Sequence, residues 1–240
     1  MNDLRDLAVA AHGGLDRWNE LNAVTMHLQT GGALWGIKGQ EGVINDSRVR
    51  VELHRQRVSH APFGAPDLHD VYTPDLVIIE DDDGHVVDER ADPRASFTGH
   101  NLETLWDRLH LAYFSGYAMW TYLTQPFSWT LPGVETEELA PWQEDGQEWR
   151  RLRVSFPADI ATHSRENVYY LDDRGLIRRH DYTTEVLGST SPAAHYGSVH
   201  HEFDGVLVPT RRRVHLLSDD GSVLPEPVVV SIDLDDVRFE

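Results

Sequence analysis

Three turn signals divide the second half of this 240-residue chain, and each lies between runs that alternate apolar and polar residues: Asp172-Asp173-Arg174-Gly175, Asp204-Gly205 and Asp219-Asp220-Gly221. A tight connection between two strands needs positive φ at its centre, which Gly and Asp tolerate, so Asp-Gly between alternating runs specifies a β-hairpin. Strands are predicted over 148–156, 166–171, 176–185, 194–203, 206–217 and 226–239. Hairpins in succession, with no helix between them, give an antiparallel meander rather than a parallel α/β sheet.

The first half carries the same grammar with two helical interruptions. Leu4, Leu7, Ala8, Ala11, Leu15 and Trp18 recur at three- and four-residue steps, predicting a helix over 3–20 that Gly13-Gly14 breaks in two. Val24, Met26 and Leu28 alternate with polar residues, and the run Val43 to Val58 does so with Val49, Val51 and Leu53 on one face. Leu76–Glu80 and His85–Arg90 flank an acidic turn containing Gly84, a further hairpin. Residues 101–124 instead keep helical spacing and are rich in aromatics, with Pro126 ending the segment. The fold class expected is mainly β (α+β): a curved antiparallel sheet or half-barrel in a single domain over 1–240, with an N-terminal helix and an inserted aromatic helix near 101–124. The open side of such a sheet is where a helix would lie.

Composition narrows the function. With 21 basic and 40 acidic residues the formal charge is −19, which repels phosphate backbones and anionic lipid, so neither nucleic acid nor a membrane surface is expected as partner. There is no cysteine, hence no disulfide, thiolate metal site or cysteine nucleophile. The sequence MNDLRDLAVAAHGG has early acids and no long apolar stretch, unlike a signal peptide, and no segment approaches the roughly 20 apolar residues that span a bilayer. A cytoplasmic location is expected. The run Glu80 to Asp83 reads as a solvated turn without the ligand ladder of a calcium loop. Fourteen histidines are present, but no His-Glu-x-x-His pattern, and His200 and His201 point to opposite faces of one strand, so no metal is expected. Glycine-rich nucleotide loops and a Gly-x-Ser-x-Gly elbow are also missing, and no cofactor is expected.

Two stretches, ENVYYLDDRGLIRRHDY and HHEFDGVLVPTRRRVHL, order their parts as strand, Asp-x-x-Gly-Leu turn, strand, then a strand ending in an aromatic, Asp-Gly, and a strand with an early proline. This order resembles the curved half-barrel of the bacterial lipoprotein carriers, LolA-like in fold, over residues 148–217. The resemblance implies a bent sheet and covering helices around an apolar ligand. Those carriers are exported. The VioE-type enzyme of violacein synthesis is similar to them in fold yet cytosolic, and is the nearer functional analogy. No catalytic residue carries over from either.

Candidate site residues come from the predicted faces. If residues 171 and 176 close the first hairpin, Tyr169 faces Arg178 and Asn167 faces His180, and one face carries Asn167, Tyr169, Arg178, His180 and Tyr182. In the next hairpin Gly197 pairs with Arg212 and His201 with Val208, setting His201 and Arg212 on an otherwise apolar face. On the 101–124 helix, Trp106, His110, Tyr113, Tyr117 and Trp120 form a stripe, with Asp107 placed to orient His110. His163 stands free in a loop. The main expectation is a cofactor-independent enzyme acting on an apolar or aromatic small molecule. His180, Tyr182, Tyr169, His110 and Tyr113 would do acid/base work, and Arg178, Arg212, His201, Trp106, Tyr117, Trp120 and His163 would bind substrate. The reaction would be a cyclisation, isomerisation, dehydration or ring opening. The alternative is a non-catalytic carrier for a hydrophobic ligand, and a third is an interaction module with no cavity. The chain would act as a monomer or homodimer.

Overall fold

The computed structural model describes residues 3–188, 192–218 and 220–240, so Asp219 of the third expected turn lies outside the described residues. Two short helices, α1 (Asp3–Ala11) and α2 (Leu15–Asn19), open the fold and are separated at Gly13-Gly14, as the sequence predicts. Gly13 has φ 124°, and a Cβ there would lie 2.3 Å from the carbonyl oxygen of Gly205, so the helix pair can rest on the Asp204-Gly205 turn only through a bare backbone.

The strands are β1 (Ala23–Gly31), β2 (Asp46–Glu52), β3 (Val58–Ala61), β4 (Leu68–Tyr72), β5 (Leu76–Asp81), β6 (Val86–Ala91), β7 (Glu135–Glu144), β8 (Gln147–Ser155), β9 (Glu166–Leu171), β10 (Ile177–Thr183), β11 (Pro192–Phe203), β12 (Val206–Leu216) and β13 (Val230–Phe239). A short helix, α3 (Ala33–Ile37), follows β1. All the strands join one curved antiparallel sheet in the order β6-β5-β4-β3-β2-β1-β13-β12-β11-β10-β9-β8-β7. The sheet does not close, leaving β6 and β7 as edges, which makes it the expected half-barrel. Each strand pairs with its sequence neighbour except at the β1–β13 seam.

The inner face is covered by α4 (Arg108–Thr124), which packs on β2 through β6. Every residue of it from Leu109 to Thr124 is buried. A helix lined by Leu, Phe, Tyr, Trp and Met on all sides has no solvent face to offer and belongs in an interior. Gly116 permits the closest approach, since a Cβ there would come within 2.1 Å of the Tyr72 ring on β4.

Four expectations are corrected. The helical segment starts at Arg108, not near 101, because Asp107 caps it by accepting the His110 backbone N–H at 2.9 Å; Trp106 therefore lies outside the helix. The run Val43–Val58 is two strands, interrupted between Leu53 and Arg57. A bulge between Ile177 and Arg179 shifts the first hairpin, so Tyr169 pairs with His180 and Asn167 with Tyr182, and Arg178 pairs with neither. In the second hairpin the predicted register holds, but Val199 adopts φ 54° and is exposed, which breaks the alternation and leaves His201 in solvent.

Candidate functional site

The inner faces of β9 to β12 meet one side of α4 in a buried cluster of imidazoles and phenols. Two-residue periodicity puts Asn167, Tyr169, His180 and Tyr182 on that face, and all four are buried. His180 stacks on Tyr169 with ring centres 4.1 Å apart, and its Nε2 is 2.9 Å from Asn167 Oδ1. Asn167 in turn donates to the Ser164 carbonyl at 3.0 Å, tying β9 to the loop that carries His163.

His163 is the hub. Its ring lies flat on that of Tyr182 at 4.1 Å. Nδ1 is 3.1 Å from the Tyr117 hydroxyl and Nε2 is 2.7 Å from that of Tyr122. The Tyr122 and Tyr182 hydroxyls are 3.1 Å apart. A neutral imidazole donates from one nitrogen and accepts at the other, so one tyrosine gives His163 a proton to share and the other receives one. Burial, reinforced by the Arg94 charge, pushes the His163 pKa down to about 3. Burial also holds His180 and His195 well below the ordinary imidazole value, with neighbouring positive charge and imidazoles adding to the effect. Tyr122 is pushed up to about 12 by the same desolvation. The cluster is therefore neutral at physiological pH, apart from Arg212.

Arg212 extends from β12 across the Tyr122 ring, 5.2 Å from its centre, and donates to the Tyr122 carbonyl oxygen at 2.8 Å. It is 2 % exposed. Burial lowers its pKa to about 10, which still leaves it charged at neutral pH.

An apolar cavity of about 40 Å³ adjoins this cluster between α4 and the sheet. Leu28, Phe114, Ala118, Met119, Val230 and Ile232 line it, and Thr30, Ser115, Tyr122 and Tyr182 bring polar atoms to its wall. On the other side of the cluster, an open cleft of about 570 Å³ is walled by Asp75, Asp92, Arg94, Tyr113, Thr162 and Glu185. Arg94 donates to the Thr162 carbonyl at 3.2 Å and pairs with Glu185, so the floor of the cleft is one residue from His163.

The structure thus brings together Tyr169, His180, Tyr182, His163, Tyr117 and Arg212. It separates the others. His110 sits at the helix start, its Nδ1 2.7 Å from Asp107, the partner expected from sequence. Tyr113 faces the cleft. Trp106 packs under Lys38, whose ammonium lies 4.9 Å from the ring centre, and Trp120 donates to the Glu52 carbonyl at 3.1 Å. Arg178 binds Asp172 of its own turn at 2.7 Å, and His201 is exposed. Two members of the cluster were not picked out by sequence. His195 pairs directly with His180, and the Gly197–Arg212 register already implied that it shares the face of Arg212. Tyr122 lies off the predicted stripe, and a helix buried all round has no single stripe to find. Asp81, Asp83 and His85, in the acidic turn, gather potential ligand atoms within 4.8 Å of one another, mostly exposed and far in sequence from the cluster.

No family model and no curated protein matches the chain. Solved structures do. A DUF1329 family protein from Desulfovibrio piger superposes with a TM-score of 0.55 at 13 % identity, covering 99 % of this chain and 92 % of its own. A domain from Vibrio parahaemolyticus described as an outer membrane lipoprotein-sorting protein gives 0.54 at 11 % identity, covering 98 % and 92 %. A LolA superfamily protein from Nitrosomonas europaea gives 0.47 at 9 % identity, covering 94 % and 91 %. At these identities the likeness is one of fold, and it extends over nearly the whole chain rather than the 148–217 segment where the sequence first showed it. The protein has the LolA-like half-barrel fold of the lipoprotein-sorting proteins.

Proposed function

We propose that this protein binds an apolar small molecule between α4 and the inner face of its sheet, as a carrier or sequestering protein. The observation that carries this reading is the apolar cavity whose lining includes Tyr122 and Tyr182, the hydroxyl pair of the buried cluster. An apolar wall with a few convergent polar groups at one end is the usual build of a small-molecule site. The name of the Vibrio neighbour, lipoprotein sorting, is in keeping with an apolar cargo. At about 40 Å³ the space holds about three waters. A ligand of any size therefore enters by displacing side chains or lifting α4, and the flexible Met119 is the cavity wall best able to yield.

A cofactor-free acid/base enzyme is the second reading, supported by the convergence of His163, His180, Tyr169 and Tyr182. General catalysis works best with a pKa near the operating pH, whereas burial pushes His163 to about 3 and His180 far below its ordinary value. Binding needs only neutral hydrogen-bonding groups, and these the cluster has. The test is titration with the neutral fluorescent probe N-phenyl-1-naphthylamine, on wild type and on Ala118→Leu, which fills the cavity. Wild type should bind the probe, and Ala118→Leu should weaken binding by at least about tenfold. Equal binding by both proteins, or none by wild type, would remove this reading.

A further inference from the structure

Among the described residues the fold buries two arginines and treats them differently. Arg179, on the outer face of β10, is 2 % exposed and fully matched: it binds Asp181 through two contacts of 2.7 and 2.8 Å and Glu144 at 2.6 Å. Arg212, on the inner face of β12, is equally buried, yet no carboxylate lies within 4 Å of it among the described residues. Its Nε is buried without a hydrogen-bond partner. Beside it, on β11, both ring nitrogens of His195 are buried and unpartnered, as is Nδ1 of His180. A guanidinium without a counter-charge in an interior is costly, and so is each unmade hydrogen bond. Lys38, the other buried cation without an acid, donates to two carbonyl oxygens at 2.8 and 3.1 Å and needs nothing more. Arg212 has one such acceptor.

Arg212 stands next to two residues that line the apolar cavity. It pairs across the sheet with Ile232, which lines that cavity, and its guanidinium covers the ring of Tyr122, which also lines it. We infer that the ligand is an apolar-tailed monoanion, a carboxylate of the fatty-acid class, whose head is received by Arg212 with His195 as neighbour and whose tail lies toward Leu28, Phe114 and Met119. This rests on the binding reading above and names the ligand class for it. The charge count sets the head: one buried cation surrounded by neutral imidazoles and phenols neutralises one negative charge, and the planar guanidinium fork matches the two oxygens of a carboxylate. A doubly charged phosphate monoester would leave a buried negative charge. His195 accommodates the head as a neutral donor through one nitrogen.

The experiment uses the full chain with N-phenyl-1-naphthylamine as reporter, displaced by decanoate, by decanol, and by acetate. In wild type, decanoate should displace the probe at least about tenfold more tightly than decanol, the size expected of a charge-assisted hydrogen bond in an interior, and acetate should fail at the same concentrations. In Arg212→Met the ratio of decanoate to decanol affinity should fall to about one, with folding checked by near-ultraviolet circular dichroism. If decanol displaces as tightly as decanoate in wild type, the carboxylate site is wrong and the apolar cavity stands. If acetate matches decanoate, Arg212 is a site for small anions and the tailed ligand is wrong. If wild type binds neither probe nor decanol nor decanoate, both the cavity and this proposal fall. The wild-type ratio decides the matter alone should Arg212→Met not fold.

Discussion

Mild acid should unfold this protein, and the interior histidines set how steeply. His12, His163, His180 and His195 are all held below the ordinary value of 6.5, in each case chiefly by burial; His12 stands at about 4 and His163 at about 3. In the unfolded chain they regain the ordinary value. A depressed folded pKa means that the unfolded state takes up protons first, so stability is fully present above 6.5 and is lost as the pH falls toward the folded values. A unit below 6.5, each histidine binds nearly one more proton unfolded than folded and costs about 1.4 kcal/mol per pH unit, or about 5 kcal/mol per unit for the four. A domain stable by about 5–15 kcal/mol cannot absorb that for long, so it should unfold between about pH 4 and 5.5. Carboxylates held low by their partners, such as Asp172 beside Arg178, are depressed from 3.8 and act only in stronger acid. The assay is urea unfolding followed by tryptophan fluorescence at a series of pH values. Stability against pH should show a slope of at least about four protons near pH 5, since His200, also held by burial at about 4, adds to the interior four, and His195→Gln should reduce it by about one. A wild-type slope of one proton or less, or one that His195→Gln leaves unchanged, would show that these imidazoles are not held neutral by burial.

Two substitutions test the packing of the inner layer. Gly116→Ala should improve helix propensity by about 1 kcal/mol in isolation, yet cost about 1–3 kcal/mol in the protein because its Cβ meets the Tyr72 ring. A rise in the urea midpoint would show that Tyr72 moves aside freely. Asp70→Ala should destabilise by about 3 kcal/mol or more, because Asp70 receives both the backbone N–H of His60 at 2.5 Å and its Nδ1 at 2.9 Å, with both side chains at 0 % exposure. Differential scanning calorimetry of the variant reads this directly, and a melting point equal to wild type would refute it.

Much of the fold was legible because hairpins announce themselves locally. Asp172 to Gly175 and Asp204-Gly205 fixed two turns and, with alternation, the inner set Asn167, Tyr169, His180 and Tyr182. What escaped has physical causes. β7, ETEELAPWQE, is an edge strand with solvent on much of its surface, so its acids and Pro141 give no apolar alternation to read. The Ile177/Arg179 bulge and the left-handed Val199 each break the two-residue period without leaving a Gly or Pro as notice. That is why unbroken alternation sets Arg178 on one face with His180, and His201 on one face with Arg212, where the structure does not. The long-range convergence of the loop residue His163 with Tyr117 and Tyr122 of α4 depends on how a helix lies across a sheet, and no local pattern encodes that.

The strand order gives the last strand an outsized part. Ten of the other strand-to-strand junctions and the remaining one beside β13 join sequence neighbours, and only β1–β13 brings distant segments together. One half-sheet, β1 to β6, holds α4, and the other, β7 to β12, holds Tyr182, His195 and Arg212. During synthesis both halves can zip up as they emerge, but they remain two separate hairpin stacks until β13 arrives to clasp them. The ligand space, with tail walls on one stack and an anion-seeking arginine on the other, comes into being in that final step, so a chain stalled before residue 230 would carry Arg212 and the α4 walls, lack Val230 and Ile232, and have no site.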